Sequence, residues 1–556
     1  MSQRQPQSGA LTRKKRAFIL AFVVPFLTVA MPATARSQMR LDLGGFLQVG
    51  GEGERYLRVL EISGWVPHTP WSIQPFSPTQ ALKLRPNKPH PWSARFDGQD
   101  GAATAEGLHV LRPKGRVVVN SAFPFQDGGG PTWAGRGFTG ELQGGIGGSW
   151  KSVWAQLAPL AFVAQNSSFP LAPNGRTGDE QFADPRFPVN IDAPQRFGSK
   201  PYKRIAPGES FLTLDEGHVM ASVISAAQQW GPARDYPLVL GPNGGGFPSV
   251  IAGTSRPVDL WLVNVHARVL YGDLGQSEFS PVVSGEGRRL GSGLVGVMGI
   301  RGVSGLELGA SRFIHAPWPD QITWGVIKHP LFAGVNLAGN TPNPIEENQV
   351  ASLFARWAFP SARVEFYGEM YREDYPGRFH EALSLVEKPD DLMSFTLGFQ
   401  RVLSIGDQHA RVIRGELVNG ETSHQERGAR GFVYPIPPYI HSGVLQGHTA
   451  NGLMLGSPEA YGGAAWRLGY DDYSTSGRLS FSLERSLRFD WLPTIPVTQS
   501  PRHPDVIYAV RADLLRFYGK RDLTMTLIPS VDLNRNLVAG NDVFNLTASV
   551  TVRGWP

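Results

Sequence analysis

The stretch Glu365-Phe366-Tyr367-Gly368-Glu369-Met370-Tyr371-Arg372-Glu373-Asp374 gathers four acids and two tyrosines within ten residues. Read as a strand, it places Glu365, Tyr367, Glu369 and Tyr371 on one face. Paired carboxylates are the equipment of a glycoside hydrolase, one giving a proton while the other acts as nucleophile or base. Four residues at ~3.3 Å set Glu365 and Glu369 about 13 Å apart, outside the ~5 to 9.5 Å that such hydrolysis uses. This pair cannot work alone, and the enzymatic reading needs a carboxylate from a neighbouring strand. Two further readings need no reaction. The same side chains suit the polar lining of a wet lumen, or a sugar-binding surface in which rings stack on pyranoses and carboxylates accept hydroxyl hydrogen bonds.

Other chemistries find little support. The chain has no Cys, so thiolate metal sites and cysteine nucleophiles are excluded. The nucleophile elbow Gly-x-Ser-x-Gly and the zinc motif His-Glu-x-x-His are both missing, and the 13 His are scattered. Gly128-Gly129-Gly130 and Gly244-Gly245-Gly246 lack the Lys-Ser/Thr of a phosphate loop and read as turns. Asp471-Asp472, flanked by Tyr470 and Tyr473, offers oxygen ligands for Ca²⁺ or a solvated acidic turn. No catalytic residue, cofactor or metal is assigned.

The elements that must position these residues are strands. In 556 residues there are 65 Gly and 45 Pro, too turn-rich for a helical bundle, and 41% hydrophobic residues are enough for a folded core. From Trp261 the apolar positions Trp261, Val263, Val265, Ala267, Val269 and Tyr271 alternate with Asn264, His266 and Arg268. The split recurs at Leu479, Phe481, Leu483, Leu487, Phe489 and Trp491 against Ser480, Ser482, Glu484, Ser486, Arg488 and Asp490, with Arg485 on the wrong side. Runs of about ten residues match transmembrane strands better than ordinary globular ones. Further strands are expected over 293–302, 305–313, 350–359, 362–371, 393–403, 410–418, 464–470, 506–515 and 523–528, and the chain closes on an alternating strand through Phe544 and Val552 to Trp555-Pro556. A soluble sandwich or propeller also alternates, but no fixed repeat supports a propeller.

The first 35 residues read as a secretory signal peptide: basic Arg13 to Arg16, an apolar run Ala17 to Met31, then small residues at Ala33 and Ala35. They carry five of the six net positive charges, so the rest of the chain has no phosphate-seeking surface and no nucleic-acid partner is expected. Residues 36–115, with Pro67, Pro70, Pro75, Pro78, Pro86, Pro89 and Pro91, suit a plug or periplasmic segment. Within it Ser77-Pro78 starts a short helix. Residues 116–556 are expected to form the barrel, with long loops at 166–208 and 428–447.

The segment Gln229-Trp230-Gly231-Pro232-Ala233-Arg234-Asp235-Tyr236-Pro237-Leu238-Val239-Leu240, with Asn243 to Phe247-Pro248 and Gly253-Thr254, resembles the Wzi family of outer-membrane capsule assembly proteins, as do Tyr367-Gly368-Glu369 and Glu373-Asp374. The resemblance extends over the prelude from Trp71-Ser72 to Leu82, although the prelude's many prolines and short helix depart from the family's helical bundle. It implies an all-β fold, a large antiparallel transmembrane barrel of about 18 strands with a small N-terminal helical or irregular plug. It also implies a non-catalytic protein of the cell outer membrane that tethers capsular or other exported polysaccharide. Trp230, Arg234, Tyr367, Glu369 and Asp374 are the residues it points to for polysaccharide binding or lumen lining, and Gly231 and Pro232 for structure. The competing reading of Trp230 and Arg234 is a membrane-interface aromatic beside a buried Arg paired to a lumen carboxylate. Expected partners are the polysaccharide, outer-membrane lipid and, during insertion, the barrel-assembly machinery, for a monomer. A diffusion porin or sugar channel is the alternative, and a lumen glycosidase or lipid-modifying barrel the third.

Overall fold

The computed structural model describes residues 48–96, 107–125, 130–282, 287–332, 347–373, 393–421, 437–495 and 503–554. The expected signal peptide, Asp374 and the terminal Trp555-Pro556 lie outside them. Twenty-three extended segments join one closed antiparallel barrel. Five of its staves consist of two segments separated by a short break, such as Gly107–Val110 with Lys114–Asn120, so the described residues form eighteen staves. Each stave pairs with its sequence neighbour, and the last, Val543–Gly554, closes onto Lys114–Asn120 with Thr547 opposite Asn120. The wall therefore starts at Gly107, inside the segment expected to be plug.

The burial pattern decides between membrane barrel and soluble sheet. In Gly477–Phe489 the apolar Leu479, Phe481 and Leu483 are the exposed residues, Phe481 at 47%, while Ser480 at 1% and Glu484 at 9% face inward. An apolar face turned outward, repeated by Leu353, Phe366, Leu397, Leu468 and Val550, is the inverse of a soluble sandwich and is the lipid-facing belt of an outer-membrane barrel. From Val263 to Gly554 the staves run 10 to 14 residues, long enough to span tilted. Arg485, out of phase, lays its guanidinium 6.0 Å from the Tyr508 ring. Eight tight turns of two to five residues join staves at one end and nine longer connections at the other, the asymmetry of such barrels.

Inserts from both ends fill the lumen. From the tight-turn end enters the N-terminal segment: α1 (Glu52–Ile62), a two-residue strand Ile73–Gln74, α2 (Pro78–Lys83) and α3 (Ser93–Phe96). The short helix expected from Ser77-Pro78 is α2, where the Ser77 hydroxyl accepts from the Gln80 amide and the Gln80 side chain accepts from the Ser77 amide, a capping box with Pro at the first turn. Tyr56, Leu57, Leu60, Trp71 and Trp92 pack on inward-facing Val402, Ala410, Val412 and Leu515. From the long-loop end residues 225–248 fold inward, and Gln229–Trp230 pairs antiparallel with Ile73–Gln74, so the inserts meet in a two-stranded sheet inside the barrel. One further helix, α4 (Trp324–Phe332), belongs to the connection between Leu306–Pro317 and Asn348–Phe359.

Candidate functional site

The residues singled out by sequence converge where the upper insert crosses the lumen. Trp230 donates its amide to the Leu240 carbonyl, and Gly231 donates to Ser72 of the lower insert. Gly231 has φ +95°, and a Cβ there would lie 2.7 Å from Glu369 Oε2, so both the backbone and the close approach require Gly. The Pro232 carbonyl accepts from Arg58 Nη2 at 2.9 Å. Downstream, three successive amides, those of Arg234, Asp235 and Tyr236, donate to the Glu416 carboxylate at 2.8, 2.9 and 2.6 Å, and the Tyr367 hydroxyl completes the set at 2.6 Å. The insert is thereby pinned to the wall by one buried acid. Thr396 and Tyr439 hydroxyls hold the carbonyls of Tyr236 and Leu238, each at 2.8 Å.

Charge is balanced around this crossing. Arg234 hydrogen-bonds Gln400 and stands 3.7 Å from Asp471, while Asp235 is paired with Arg467 at 2.8 Å and Arg414 at 3.3 Å. Burial works against the Asp235 carboxylate, yet the Arg467, Arg414 and Arg234 guanidinia outweigh it and hold its pKa well below the usual range. A second cluster latches the lower insert: Arg356 bonds Glu61 of α1, Glu307 and Glu365 at 2.5, 2.6 and 2.6 Å, and Arg58 of α1 bonds Glu365 at 2.9 Å. Glu307 also accepts from the Ser72 amide at 3.2 Å and the Ser72 hydroxyl at 2.7 Å. For Glu61 burial is again opposed and outweighed by Arg356 and then His68, which bring its pKa down to about 2.

Trp230, Arg234, Tyr367 and Glu369 thus come together, and all four are buried, at 1%, 9%, 6% and 3% exposure. Trp230 and Arg234 belong to the insert and meet the wall, whereas Tyr367 and Glu369 belong to the wall and meet the insert. Trp230 is no membrane-interface aromatic: its ring packs inside the barrel 6.0 Å from Phe313. Glu365, the first carboxylate of the supposed hydrolytic pair, is consumed by two guanidinia. The Ca²⁺ reading of Asp471-Asp472 also fails. Consecutive strand residues face opposite sides, and Asp471 points inward to Arg414, Arg478 and Arg234 while Asp472 points outward beside His409 and Arg411. Among the described residues no group of three or more His, Asp or Glu is arranged for a metal ion. Sequence reasoning missed Arg58, Glu307, Arg356, Gln400, Arg414 and Glu416, whose partners lie up to 307 residues away.

No family model matches the chain, and no curated protein matches it. Among solved structures, the chain superposes on Wzi of Escherichia coli, described as an outer-membrane protein involved in group 1 capsule assembly and a carbohydrate-binding β-barrel. That match has a TM-score of 0.60 at 15% identity and covers 91% of this chain and 98% of that one. OccAB3 of Acinetobacter baumannii and OprD of Pseudomonas aeruginosa match at TM-scores of 0.38 and 0.36, each with 10% identity, covering 80% and 81% of this chain and 98% and 93% of theirs. The chain has the fold of the Wzi barrel.

Proposed function

We propose that this protein sits in the outer membrane and tethers exported polysaccharide of the capsular class at the cell surface, without catalysing a reaction. The observation that carries this reading is the double filling of the lumen, since a diffusion channel needs an unobstructed path whereas a tether does not. The fold shared with a barrel described as carbohydrate-binding supports it. Because Trp230, Arg234, Tyr367 and Glu369 are buried where the insert meets the wall, sugar contact falls to the long-loop end, where exposed Arg176, Asp179, Glu180 and Gln181 offer hydroxyl-bonding groups. The first 35 residues then serve export, the assembly machinery inserts the barrel, and the chain acts as a monomer.

The test compares cell-bound with released polysaccharide in a strain lacking the gene, with total synthesis monitored. Loss of the bound fraction at unchanged total is expected; normal retention sinks the tether. The porin alternative is separated by planar-bilayer recording, where large steady openings of the purified barrel would favour it. New reducing ends on incubation with polysaccharide would revive the hydrolase.

A further inference from the structure

Helix α4 lies outside the barrel. In adjacent antiparallel strands, opposed residues point to the same side, and Tyr271 is opposite Ser292, which is opposite Ile314. His266, Arg268 and Leu270 of the first of these strands are buried in the lumen, so Tyr271, with Ser292 and Ile314, faces outward. Lower on these strands the outward residues, such as Val265, Val269, Leu294 and Leu308, are at least partly exposed, yet Ser292, Ile314 and the same-facing Leu290 are buried. What covers them is α4, which packs on Arg289–Ile300 and Leu306–Pro317. The Tyr271 hydroxyl donates to the Ile327 carbonyl, and His329 is tied to Glu347 at 3.0 Å.

The far side of this helix and its lead-in is apolar and uncovered: Ile322 is 61%, Trp324 73% and Leu331 47% exposed, with Lys328 also exposed beside them. Its height is set by Tyr271, eight residues along its strand from Val263 at the tight turn. At ~3.3 Å per residue and a tilt near 40°, that is about 20 Å up a lipid band roughly 25 Å tall. The helix is therefore continuous with the apolar belt at its long-loop edge, where aromatic girdles sit. We propose that α4 is an in-plane membrane helix. Acyl chains of the outer leaflet cover Ile322, Trp324 and Leu331, and Lys328 reaches to the anionic headgroups. The proposal rests on the barrel spanning a membrane and is independent of what the loops bind.

The absence of Cys makes the test direct. A nitroxide is attached to Ile322→Cys, Trp324→Cys or Leu331→Cys in the full chain reconstituted in phospholipid vesicles, with Phe481→Cys as the wall reference and Arg176→Cys as the aqueous one. Accessibility to oxygen is compared with accessibility to a water-soluble nickel chelate. The three helix sites are expected to show oxygen-to-nickel ratios within about twofold of Phe481→Cys and several-fold above Arg176→Cys. Ratios matching Arg176→Cys would overturn the proposal. If Phe481→Cys itself reads as aqueous, the membrane placement of the barrel fails with it. All five sites are at the surface, so labelling leaves the packed interior intact.

Discussion

Replacing Arg356 by Met tests whether buried charge, rather than the surrounding apolar packing, latches the lower insert. The guanidinium is wholly buried and touches three carboxylates, each about 1% exposed: Glu61, Glu307 and Glu365. With Arg356 removed, Arg58 still faces Glu365 at 2.9 Å, but Glu61 and Glu307 lose their main counterion. Breaking a buried pair by removing one partner costs about 3 to 5 kcal/mol, or roughly a hundred- to few-thousand-fold in the folding equilibrium. The same principle says that neutralising the whole cluster costs little. Arg356→Met alone should therefore lower the urea midpoint of the detergent-solubilised barrel and open α1 to protease. Adding Glu61→Gln and Glu307→Gln should restore most of the loss while leaving the Arg58–Glu365 pair balanced. A single substitution costing under about 1 kcal/mol, or a triple variant no better than the single, would refute the assignment of the latch to these charges.

Further outcomes follow from the same interior. Gly231→Ala meets both a positive φ and the Glu369 carboxylate, whereas Gly217→Ala meets a positive φ with nothing within 4 Å; the first should exceed the second by about 1 to 3 kcal/mol in denaturant midpoint. At His68 burial lowers the pKa but the Glu61 hydrogen bond outweighs it, so the pKa is raised. Its stabilisation is then complete below the ordinary His value and fades as pH rises through the raised one, and a comparison of midpoints at acid and alkaline pH should show this slope vanish in His68→Gln. Asp235→Asn leaves Arg414 and Arg467 facing no charge at the upper insert, and planar-bilayer recordings should show intermittent openings absent from the parent. Tyr367→Phe removes one of four donors to Glu416 and should cost about 1 to 3 kcal/mol while leaving polysaccharide retention unchanged.

The second half of the wall is legible because each stave there is one continuous run in which apolar and polar residues largely alternate. Gly477–Phe489 needs only its own thirteen residues to declare its faces. Between Gly107 and Leu260 the signal broke up, since staves such as Gly137–Gln143 with Ile146–Trp150 are interrupted by Gly144-Gly145 and neither piece exceeds seven residues. Helix α1 was missed for a different reason. It is buried on nearly all sides, and Glu54, Arg58 and Glu61 occupy positions that in an isolated sequence mark a solvated face. Only the opposing Glu365 and Arg356 make those positions internal. For the candidate site, the motif around Trp230 was visible but its role was not. Whether Glu369 greets a sugar or a glycine depends on where residues 225–248 go, and that is fixed by Glu416, some 180 residues downstream.

The order in which these parts leave the ribosome has a consequence for assembly. The lower insert precedes every stave, yet its holdfasts are spread from Glu307 through Arg356 and Glu365 to Arg478, which bonds Glu52 at 2.8 Å. The upper insert likewise waits for Glu416 and Asp471. The charged latches on these early-made segments come from later-made ones. A chain stalled before Glu307 would therefore be both unclosed and without these charged latches, leaving its buried charges open to water and to proteolysis. Sealing of the bore becomes a certificate of completion that a half-built chain cannot counterfeit.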